Sequence, residues 1–122
     1  IYKDVKFVAW NNNPYEFGPP DLKWLKEQVS SHDRVIVFAH QPPYSGSVTS
    51  EDEAEWKEIR DSPNYLAGIH GHTHKFNHYV EEDTNVVMYT TPRVSQTKFG
   101  LMRIEQEEII FSVCTPDCKE AK

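Results

Sequence analysis

The run RVIVFA at residues 34–39 constrains the fold of this chain more than any other feature. After one arginine it is continuously apolar, too short for a buried helix and without polar alternation. Such a run fits a strand covered on both faces, the kind found in sheets sandwiched between other layers. VKFVAW (5–10) and YLAGI (65–69) have the same character, and VKFVAW stops at Asn11-Asn12-Asn13-Pro14. Helix signals lie between the three runs. Pro19-Pro20-Asp21 sets up a start, and Leu22, Leu25 and Val29 then recur at helical spacing with Trp24 alongside. Ser50, with Glu53 three residues on, makes a capping box for a helix to about Arg60, and Asp61-Ser62-Pro63 ends it.

Beyond residue 75 the pattern changes. HYVEE, VVMYTT, LMRI and EEIIFSV look like strands joined by short turns, with no room for helices between them. The expected order is β-α-β-α-β followed by an antiparallel meander. The fold class is therefore mixed α/β, a mixed sheet carrying two helices on one face. At 122 residues the chain fits a single domain, 1–122.

In open α/β sheets functional groups collect just beyond the carboxyl ends of the strands. His40 follows RVIVFA directly, and YLAGI runs into Gly68-Ile69-His70-Gly71-His72-Thr73-His74. Parallel neighbouring strands would bring imidazoles from both ends to one rim, where neutral imidazole ligates Zn, Fe, Mn and related ions. A lone histidine at a strand end is more often a surface residue, and HxH alone is weak. The third histidine on a second strand end tips the balance toward metal. Gly68 and Gly71 fit a tight turn with close backbone approach, and Pro42 and Pro43 stiffen the loop after His40.

Spacing excludes several metal families. HxHxDH fails because Lys75 and Phe76 occupy the Asp and His places; a cupin pattern would need Glu where His78 stands; HExxH is absent. The net charge of −6 argues against a nucleic-acid-binding surface, and no apolar run approaches the roughly 18 residues of a membrane span. Cys114 and Cys118 could close a small loop as a disulfide or remain two thiols, so compartment stays open.

The blocks VIVFAHQPPYSG and YLAGIHGHTHKF, in this order and separation, resemble the calcineurin-like metallophosphoesterases. The preceding strand and the DLKWLKEQV helix also look like the family segment before that histidine. The resemblance implies a two-sheet αββα sandwich with two divalent metal ions, whether Mn, Fe, Zn, Ni or Mg. By motif position, His40 and His72 would ligate one metal and His74 the other. It also implies hydrolysis of a phosphomonoester or phosphodiester by water activated at the metal pair. The family's earlier motifs, Asp-x-His, Gly-Asp and Gly-Asn-His-Asp/Glu, are not in this sequence, and Asn11-Asn12-Asn13 does not stand in for them.

The chain, beginning at Ile1, is thus expected to be the C-terminal part of such a domain, with the N-terminal half and its catalytic histidine upstream. Alone it is expected to be inactive, holding one metal or none. Its cut face would expose apolar sheet surface and favour a homodimer. Tyr44, with Ser45, and Arg93 are candidates for substrate contact against the alternative of solvated loop positions. His70 is expected to pack or support the ligands, with substrate contact as its alternative. Two rival functions remain: a mononuclear three-histidine metal domain, and a structural or interaction module whose histidines merely fill a sheet edge.

Overall fold

The computed structural model describes residues 1–12, 21–43, 50–106 and 108–121. The three apolar runs form strands β1 (Lys6–Trp10), β2 (Val35–Ala39) and β3 (Tyr65–His70), parallel and adjacent in that order. Between them lie helices α1 (Leu22–Ser30) and α2 (Ser50–Arg60). The carboxylate of Asp21 caps α1, its Oδ1 accepting the Trp24 N–H at 2.8 Å. In α2, Glu51, Asp52 and Glu53 occupy the first turn and Lys57 and Arg60 the last, each sign at the end its charge favours. Both helices lie on one face of the sheet, packing Leu22, Leu25, Val29, Trp56 and Ile59 against Val8, Trp10, Val35 and Val37.

The expected mixed sheet with two helices and a C-terminal antiparallel meander is present, and the later strands divide between two sheets. Strands β4 (Asn77–Val80) and β5 (Val87–Thr90) pair antiparallel with each other, but β5 also inserts parallel beside β3. The first sheet therefore reads β1-β2-β3-β5-β4. Strands β6 (Phe99–Ile104), β7 (Ile109–Thr115) and β8 (Asp117–Glu120) make a separate antiparallel sheet. The eighth strand carried no sequence signal. Cys114 and Cys118 face each other across the β7–β8 turn and are joined as a disulfide.

The second sheet covers the face of the first opposite the helices. Ile36, Ala67, Ile69 and Tyr89 meet Phe111, Met102 and Val113 there. This three-layer order, helices, sheet, sheet, explains the absence of alternation in β2: Val35 and Val37 turn to the helices while Ile36 and Phe38 turn to the second sheet. Between β2 and β3 the register slips once, with Val35 opposite Tyr65 and Ile36 opposite Ala67. Leu66 is the inserted residue, so it packs toward the second sheet together with Ala67.

Candidate metal centre

The carboxyl ends of β1, β2, β3 and β5 reach the same rim of the first sheet. Side-chain and backbone hydrogen bonds continue the pairing past the strand ends. Gly71 N–H donates to the His40 carbonyl at 3.0 Å, joining the turn after β3 to the end of β2. The Thr91 N–H and hydroxyl both donate to the His70 carbonyl, at 2.8 and 3.2 Å, joining β3 to the segment after β5. A cleft of about 520 Å³ opens here, lined by Trp10, Asn11, His40, His70, Gly71 and Thr91 among others.

His40 and His72 come together at this rim, both exposed, with His72 Nδ1 3.1 Å from His40 Nε2. Two imidazole nitrogens each about 2.0–2.1 Å from one ion stand roughly 3 Å apart when they are neighbours in its shell. The separation, the exposure and the imidazole nitrogen donors fit a divalent transition ion. His74 follows on the same turn but does not join the pair. No group of three or more His, Cys, Asp or Glu side chains converges among the described residues.

The turn itself differs from the expected one. Gly68 lies inside β3, and its conformation is ordinary. A side chain there would run into Met88 Sδ, His70 Cε1 (2.7 Å) and the Tyr65 hydroxyl (2.8 Å). Its smallness serves packing under the rim. A Cβ on Gly71 would meet only the His40 carbonyl, at an ordinary 3.7 Å. The left-handed backbone falls instead on the histidines, His72 at φ 63° and His74 at φ 61°. Non-glycine residues held in this region carry strain of order 1–3 kcal/mol and cluster at functional sites.

His70 closes β3 with its side chain turned inward. It is buried, and its Nδ1 has no hydrogen-bond partner among the described residues. Burial holds its imidazole down at about 4, against an opposing effect of the Tyr89 backbone, so the ring is neutral at pH 7. His70 is thus buried, and the residue also borders the cleft. Arg93 follows the end of β5 at this rim and is exposed. Tyr44 and Ser45 lie outside the described residues. His78, on β4, is half-buried and stacks against Tyr89 and Phe76.

One contributor to the rim escaped sequence reasoning. Asn12 is buried, and its amide brackets the backbone of Gln41: Nδ2 donates to the Gln41 carbonyl at 2.6 Å and Oδ1 accepts the Gln41 N–H at 3.0 Å. The available signal was an asparagine run directly beyond a buried strand, beside the strand that ends in His40.

Comparison with known families matches residues 3–76, more than half of the chain, to the family described as calcineurin-like phosphoesterase. The match spans β1 through the histidine turn. No curated protein matches.

Proposed function

The chain belongs to the calcineurin-like phosphoesterase family, and from that premise we propose that it is the C-terminal part of a metal-dependent phosphoester hydrolase acting on mono- or diesters. In this proposal His40 and His72 share one divalent ion, His74 serves the second, and the carboxylate ligands and catalytic histidine come from an upstream half of the domain. The observation that carries it is the pair His40 Nε2–His72 Nδ1 at 3.1 Å, presented by two neighbouring parallel strands. Such ions lower the pKa of water, neutralise phosphoryl oxygens and stabilise the leaving oxygen.

This chain's own residues do the holding. Exposed imidazoles offer nitrogen donors at the rim, and the Gly71 bond to His40 fixes the spacing between their backbones. Arg93 offers a guanidinium at the end of β5 for a phosphoryl oxygen. Tyr44, from its sequence position after the His-Gln-Pro-Pro block, is proposed as a substrate contact. His70 stays a supporting residue.

Hydrolysis of an aryl phosphate monoester and diester by the full-length protein tests the proposal. His72→Ala is expected to lower kcat/KM at least 100-fold while the protein remains folded. An undiminished rate would remove His72 from the site. A single bound ion per full-length chain, lost on substituting any of His40, His72 or His74, would favour the mononuclear three-histidine alternative.

A further inference from the structure

The ladder between β1 and β2 ends with Trp10 opposite Ala39. Two positions further along, the side chain of Asn12 takes over from the backbone. Its carboxamide donates to the Gln41 carbonyl and accepts the Gln41 N–H, as a paired strand residue would. Both groups lie in a buried setting, Asn12 at 6 % and Gln41 at 5 % exposure.

His40 therefore sits between two fixed points. Ala39 belongs to the sheet, Gln41 is clamped by Asn12, and the His40 carbonyl itself accepts from Gly71 at 3.0 Å. Only the exposed imidazole is left to adjust. An exposed ligand on an untethered loop would have to be ordered when the ion binds, at the expense of affinity.

We infer that Asn12 is a positioning residue for the metal centre, acting through Gln41 to hold the backbone of His40 where its Nε2 faces His72. This rests on the proposed ligand role of His40 and His72. Residues behind metal ligands typically change affinity 10–100-fold when altered. Asn12→Asp keeps the size and the acceptor for the Gln41 N–H, but removes the donor and sets a carboxylate oxygen against the Gln41 carbonyl.

The test uses the full-length protein titrated with Co(II), whose visible absorption reports both occupancy and ligand geometry. Apo melting curves are recorded alongside. Asn12→Asp is expected to weaken Co(II) binding at least 10-fold and alter its spectrum, at temperatures where the apo variant is fully folded. Asn12→Ser, which keeps one hydrogen-bonding group, is expected to show a smaller loss, and it provides the arm needed should the aspartate variant not fold. A lowered melting temperature with unchanged affinity and spectrum would overturn the inference, leaving Asn12 a stability residue only. His40→Ala is the reference. If it leaves Co(II) binding intact, the ligand assignment itself fails, and the role of Asn12 with it. If His40→Ala abolishes binding while both Asn12 variants bind as wild type, the positioning role alone is wrong.

Discussion

At the scale of single residues, the histidines divide by burial. His40 and His72 present their rings to solvent, whereas His70, two residues before His72, is sealed beneath the rim. Burial lowers the His70 pKa from 6.5 to about 4. The unfolded chain therefore takes up a proton at His70 that the folded chain refuses. Stability tied to this group is fully present above pH 6.5 and is lost as pH falls toward 4, a change on the order of 3 kcal/mol. Denaturant melts between pH 7.5 and 4.5 check this. His70→Gln is expected to show a shallower fall than wild type over that window, and parallel curves would contradict it. The motif showed that three histidines lie at a strand end. Together with the family resemblance, it leaves His70 expected to pack or support the ligands, while the register slip at Leu66 leaves no mark in a local apolar pattern.

At the scale of elements, what could be read in the chain depended on whether local sequence decides it. VIVFA and YLAGI declare buried strands because covering both faces removes alternation, and the Asp21 cap announces α1. The partner of β5 was not legible. VVMYT reads as a strand in either direction, and its insertion between β3 and β4 follows from which layers cover it. Strand β8 is exposed along its length and so has no apolar signature. One short turn carries strain of its own. Lys3 (φ 47°) and Asp4 (φ 61°) are the central residues of a tight turn in which Tyr2 and Val5 exchange two backbone hydrogen bonds of 2.9 Å. Two successive positive φ values favour Asn-Gly. Lys3→Asn combined with Asp4→Gly is expected to raise stability by about 1 kcal/mol. A lower denaturation midpoint would show that the Lys3 or Asp4 side chain contributes more than the strain costs.

At the scale of the whole molecule, the five-stranded sheet is already covered on both faces, by the helices and by the second sheet. Among the exposed apolar side chains, Phe99 and Leu101 sit together on strand β6 of that second sheet, each about half exposed. Self-association of the isolated chain through this face is expected, and sedimentation velocity measures it. Leu101→Glu should shift the chain toward monomer without changing its melting curve at concentrations where the wild type is itself monomeric. A wild-type chain that stays monomeric at high concentration would contradict the idea that another layer belongs there. The carboxylates needed beside two dications are likewise a question for the whole molecule, since the described residues bring only His40 and His72 together. Elemental analysis of the full-length protein therefore tests the central claim most directly. Two divalent ions per chain are expected in the wild type, with His72→Ala retaining at most one. Equal metal content in both, with equal phosphoesterase rate, would contradict the assignment of this rim as a metal centre.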